Sequence, residues 1–71
     1  MAVFKVIELI GTSTVSWEAA AAFAVQEAQK TLRGLRVAEV KQLDMQVQEG
    51  KQIIYRARVK VSFEYESENG K

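Results

Sequence analysis

The chain of 71 residues contains no cysteine and no histidine. Without cysteine there is no disulfide framework and no thiolate metal site. Without histidine there are no imidazole ligands, and the commonest general acid/base is missing. Charge of one sign is also lacking. Ten Lys and Arg against nine Asp and Glu leave a net charge of +1, so bulk attraction to nucleic acid or to a membrane surface is not expected. No long apolar run is present. Ala19–Val25 is the longest strongly apolar stretch, far short of the ~20 residues that span a bilayer. Lys5 and Glu8 interrupt the apolar start, leaving no signal-peptide core. These absences lead to the expectation of a cytoplasmic protein with no nucleic-acid or membrane partner.

A chain this short forms one domain, here taken as 1–71. It buries only about 60% of its extended surface, so its own core is marginal. Small domains are usually reinforced by disulfides, a metal or oligomerisation. With cysteine and histidine gone, oligomerisation is the reinforcement left.

The sequence VFKVIELI (3–10) is rich in β-branched and aromatic residues and predicts a strand ended by Gly11. GTSTVS then reads as a turn, with Ser13, Thr14 or Ser16 as the N-cap of a helix. In WEAAAAFAVQEAQKTLRG, six alanines lie between positions 19 and 28, and Gly34 is placed as the stop. One apolar stripe runs Trp17, Ala21, Ala24, Ala28, Leu32. Ala19, Ala22, Phe23 and Val25 make the other side apolar too, which implies burial on more than one side and a subunit interface involving Phe23.

Residues 36–48 predict a second strand whose apolar parity switches. Ala38 and Val40 are even; Leu43, Met45 and Val47 are odd. A bulge near Lys41–Gln42 would reconcile the halves, and so would packing of the far half on a neighbour. QEGK (48–51) is the turn into a third strand, about 52–66, in which Ile53, Tyr55, Ala57, Val59, Val61, Phe63 and Tyr65 alternate with Arg56, Arg58, Lys60, Ser62 and Glu64. From Ile53 to Tyr65 this strand would span ~43 Å. A compact domain of this length is only about 30 Å across, so the strand must curve around the helix or project toward other chains. ESENGK (66–71) reads as a frayed polar tail. The expected fold is α+β: strand-helix-strand-strand, with a three-stranded antiparallel sheet curved around one helix and the third strand central.

Little in the chain suggests catalysis. Glu8, Glu39, Asp44 and Glu49 are dispersed and read as solvated or ion-paired strand residues. Gly11-Thr12-Ser13 at a helix start could hold an anion, or be an ordinary capped turn. Arg56, Arg58 and Lys60 could bind phosphate or carboxylate, or form a ladder with cross-strand acids such as Glu39 or Glu8. The aromatic residues alternate onto the opposite face, which argues against a nucleic-acid surface. Trp17 reads as a core anchor, with ligand stacking as the alternative.

The succession VIELIGTS, SWEAAAAFAVQEAQKTLRGLRVAEV and YRARVKVSFE resembles the dodecin family from about Val3 to Glu64. The resemblance rests on the I-G-T-S turn, the alanine-rich helix, AEV and KVSF in order and spacing. It implies small subunits assembled into a hollow homododecamer of cubic symmetry, without enzymatic activity. Many dodecins bind flavins (riboflavin or FMN) between symmetry-related tryptophans, with a glutamine at the flavin edge. The positions matching that pocket here are Val37 for the tryptophan, Arg56 for the glutamine, and Gln42. Both signature contacts are therefore absent, and Arg56 would favour an anionic group. SWE, RVAEV, DM and YR look more like the branch without flavin, of which some members carry calcium. The expectations are thus a homo-oligomeric shell holding a small ligand between subunits, with flavin buffering and a calcium-loaded cage as alternatives.

Overall fold

The computed structural model describes residues 1–65; the frayed tail expected at 66–71 lies outside them. Four elements follow in order: β1 (Phe4–Ser13), α1 (Trp17–Thr31), β2 (Leu35–Gln46) and β3 (Ile54–Glu64). The sheet order is β1-β3-β2, with both outer strands antiparallel to β3. The arrangement is the one expected from the chain order.

Alternation along β3 builds the core. Ala57, Val59 and Val61 are fully buried, packed with Ala20 and Ala24 of α1. Ile7 and Leu9 of β1, opposite Val61 and Val59, complete that face. Small residues on both sides let the helix lie close to the sheet, which raises the dispersion contribution of each contact. The helix begins at Ser16, whose hydroxyl accepts the Ala19 N–H at 3.0 Å, satisfying one of the orphan donors of the first turn. Glu18 in that turn and Lys30 in the last suit the helix dipole.

Three expectations need correction. Gly11 does not end the first strand: β1 continues to Ser13, with Gly11 buried opposite Ala57. A Cβ there would lie far inside contact with the Ala20 carbonyl oxygen and 2.9 Å from Ala24 Cβ. Glycine is present because the helix crosses the strand at that point. The buried helix stripe contains Ala24 and Ala28 as expected, but Ala20 is its fully buried first member where Ala21 was expected, and Ala21 is only partly buried. The helix also stops at Thr31, before Gly34, whose φ of 70° turns the chain into β2.

The parity switch in β2 is resolved by a bulge between Val40 and Gln42. Ala38 pairs with Val61 and Val40 with Val59; after the bulge, Leu43 pairs with Ala57 and Met45 with Tyr55. All four thus share the helix-side face. Met45 is nevertheless 46% exposed, because 15 residues of helix reach only about 22 Å. The hairpin projects past it, and the molecule measures 55 × 20 × 15 Å.

Candidate functional site

The register that buries Ala57, Val59 and Val61 turns Arg56, Arg58, Lys60 and Ser62 to the opposite face of the sheet. Their cross-strand neighbours are Thr12, Ile10, Glu8 and Val6 on β1, and Asp44, Gln42, Glu39 and Val37 on β2. The basic row therefore runs between two strands that carry acids. Arg56 donates a two-pronged hydrogen bond to Asp44, Nε to Oδ1 at 2.7 Å and Nη2 to Oδ2 at 3.1 Å. The hydrogen bond from Arg56 holds the Asp44 carboxyl below its ordinary range against opposing desolvation, aided by the charges of Arg56 and Arg58. The same bond, then the Asp44 charge, raises Arg56. Arg58 Nη1 lies 3.7 Å from Glu8 Oε1, and Lys41 Nζ lies 3.7 Å from Glu39 Oε2.

Arg56 and Arg58 of the row are thus ion-paired across to β2 and β1 respectively. Arg56 already has a carboxylate partner within its own chain. The sequence named Glu8, which pairs with Arg58, and Glu39, which pairs instead with Lys41 of its own strand, and missed Asp44. The turn itself carried the signal, since Asp44 and Arg56 each lie six positions from Gly50.

Val37, Gln42 and Arg56 all lie on this outer face. Gln42 sits opposite Arg58, next to Arg56 along the ladder, while Val37 sits opposite Ser62. Val37 and Arg56 are therefore separated by six residues of β3, about 20 Å. One subunit brings Gln42 and Arg56 together but keeps Val37 apart. The Gly11-Thr12-Ser13 segment is paired with β3, and the helix cap belongs to Ser16, so no anion cradle forms there.

Calcium takes six to eight oxygens, usually including several carboxylates. Among the described residues no group of three or more Asp, Glu, His or Cys side chains comes together. Glu8 and Asp44 are engaged with arginines. The described residues of one subunit do not supply a donor set that fits that ion.

On the helix side, Trp17 anchors the start of α1. Its indole N–H donates to the Asp44 carbonyl oxygen at 3.0 Å, and its ring meets Tyr55 edge-on with centroids 5.2 Å apart. This fits the anchoring role. It also makes Trp17 one wall of an open apolar groove of about 500 Å³, shared with Glu18, Ala21, Val40 and Leu43. The groove continues along the helix past Val25 to Gln26 and Gln29. The sequence did not single it out; the apolar residues of β2 were the available signal.

The dodecin family description matches residues 3–66. Calcium dodecin of Mycobacterium tuberculosis is 51% identical over 63 residues, covering 89% of each chain. The crystal structure of that calcium-chelating immunodominant antigen, with its novel calcium-binding site, superposes with a TM-score of 0.85 at 46% identity, over 94% of this chain and 96% of that one. A single-residue variant of T. thermophilus dodecin gives a TM-score of 0.85 at 37% identity, over 94% and 100% of the two chains. Dodecin from Streptomyces coelicolor gives 0.85 at 32% identity, over 93% and 94%.

Proposed function

The chain belongs to the dodecin family, and from that premise we propose that it is a non-enzymatic cytoplasmic subunit of a hollow homo-oligomer, a dodecamer, that holds a small ligand or ion between its subunits. One observation carries the assembly. The chain presents 5526 Å² of accessible surface, whereas a folded monomer of 8.0 kDa should present about 4450 Å². The surplus of about 1100 Å² exceeds the roughly 800 Å² that one partner contributes to a standard interface. Copies of the chain are the simplest means of covering it.

The ligand reading follows from the outer sheet face. Val37 and Arg56 stand where the family's flavin pocket has tryptophan and glutamine, and Asp44 already holds Arg56. This weighs against tight flavin binding. Calcium is the second reading, favoured by the 51% identity to Calcium dodecin. Among the described residues no donor set of this kind comes together, so such a site would draw oxygens from several copies at a junction.

Native mass measurement of untreated protein tests the proposal. The expected result is an assembly of about twelve 8.0 kDa subunits, with residual mass identifying any ion or organic ligand. A free monomer at micromolar concentration would overturn it.

A further inference from the structure

We propose that Asp44 sets the charge selectivity of the outer-face ligand site: by holding Arg56 it shuts out anionic ligands and leaves the site to uncharged ones. The inference rests on the ligand site proposed above at Val37, Gln42 and Arg56, and names the chemical class that this site takes.

An arginine recognises phosphate or carboxylate through the fork of its guanidinium, with two parallel N–H bonds to two oxygens. In this chain Asp44 fills that fork, at 2.7 Å from Nε and 3.1 Å from Nη2. Strand pairing sets the two residues directly opposite each other. The main chain of residue 44 is tied down from the helix side, where its carbonyl oxygen accepts the Trp17 indole N–H at 3.0 Å. The carboxylate is therefore delivered to Arg56 by the fold. Asp44 alone within 36–46 is not fully exposed, and partial burial of this kind shields a pair from salt.

Both side chains still keep over a third of their surface in contact with solvent, so the pair stands where a ligand would arrive. An anion approaching Arg56 competes with a carboxylate held in place and meets its like charge at close range. The rest of the face does not compensate. Arg58 lies 3.7 Å from Glu8, and Lys60 sits between Glu8 and Glu39 across the strands. Lys41 reaches Glu39 as well, at 3.7 Å. Every base of this group has an acid beside or opposite it. Gln42, opposite Arg58, adds an amide that both donates and accepts, which suits the polar edge of an uncharged molecule.

Riboflavin and FMN are the probes, because they share one ring system and differ by a phosphate. Each is titrated against the full chain and against Asp44→Asn, followed by flavin fluorescence. Wild type should bind FMN no more tightly than riboflavin. Asp44→Asn should raise the preference for FMN about tenfold or more, the worth of one hydrogen bond to a charged group, and high salt should erase the gain. An unchanged FMN-to-riboflavin ratio in Asp44→Asn overturns the inference, as does a wild type that prefers FMN. A second measurement needs no flavin. Phenylglyoxal modifies guanidinium groups, and peptide mass analysis reads Arg56 against the exposed Arg33. In wild type, inorganic phosphate should leave the rate at Arg56 unchanged relative to Arg33. In Asp44→Asn, Arg56 should react about tenfold faster and be slowed by phosphate, as expected of a freed fork. Phosphate protection of Arg56 in wild type, or equal Arg56 rates in the two proteins, sinks the inference. The wild-type arm decides even where Asp44→Asn does not fold. Failure of both proteins to bind either flavin removes the flavin reading of the site, while the phenylglyoxal rates still decide the role of Asp44.

Discussion

Replacing Gly11 by alanine tests how closely the helix approaches the sheet. The added Cβ would collide with the Ala20 carbonyl oxygen and come within 2.9 Å of Ala24 Cβ, where ordinary contact begins near 3.4 Å. The obstruction is backbone, so no side-chain rotation relieves it. The helix must retreat, loosening Ala20 and Ala24 from Ala57 and Val59. A retreat of 0.5–1 Å forfeits roughly a quarter to a half of each contact's dispersion energy. Overpacking of this kind costs about 1–3 kcal/mol, and a backbone clash belongs at the upper end, about 3 kcal/mol. A domain of 71 residues has roughly 4–11 kcal/mol in hand. Urea unfolding followed by Trp17 fluorescence reads the loss. With a slope of about 1 kcal/mol per molar, the midpoint should fall by about 3 M. Gly50→Ala is the control: its φ of 75° strains alanine but nothing lies within 4 Å, so about 1 kcal/mol is expected. Subunit concentration must be equal in all samples, because assembly adds to apparent stability. Equal midpoints for Gly11→Ala and wild type would refute the close-approach argument.

Asp44→Asn should lower the thermal midpoint near neutral pH, and the difference should close in acid. The folded carboxyl titrates below its ordinary value of 3.8, so its contribution is present above that value and fades as pH falls through the depressed one; a difference independent of pH would show that the Arg56 pair contributes nothing. Phe23 is 49% exposed on the helix flank away from Ala21 and Val25, and a closed shell needs more than one kind of contact. Phe23→Glu should therefore reduce the native mass at micromolar concentration, and unchanged assembly would leave Phe23 outside every interface. Val37→Trp combined with Arg56→Gln should strengthen riboflavin or FMN binding by about 10- to 100-fold if the new ring contributes roughly 1–3 kcal/mol of stacking. Unchanged fluorescence quenching on titration would show that Val37 and Arg56 do not mark the flavin pocket.

Much of the fold was legible because β-strands keep strict parity. The single parity break in β2 could be reconciled by one extra residue, and the bulge between Val40 and Gln42 supplies it. Other features were hidden for physical reasons. Alanine at positions 19–22 gives the first helical turns no apolar contrast, so Ala20 could not be told from Ala21 as the buried member there, while Ala24 and Ala28 were readable. Gly11 carries two opposite meanings, strand end and close approach, and only the helix above it decides between them. Of the candidate site, the outer-face location of Arg56 followed from alternation. Its capture by Asp44 required the hairpin register, and the separation of Val37 from Arg56 required the strand pairing.

The indole of Trp17 grips residue 44 through its main-chain oxygen, while the carboxylate of the same residue reaches through to the other side of the sheet. The two attachments are chemically independent. Any amino acid placed there still offers the carbonyl, so the helix keeps its mooring whatever side chain evolution tries. Position 44 can thus lose its charge at the cost of the Arg56 pair alone, retuning the electrostatics of the far surface while the indole keeps its acceptor.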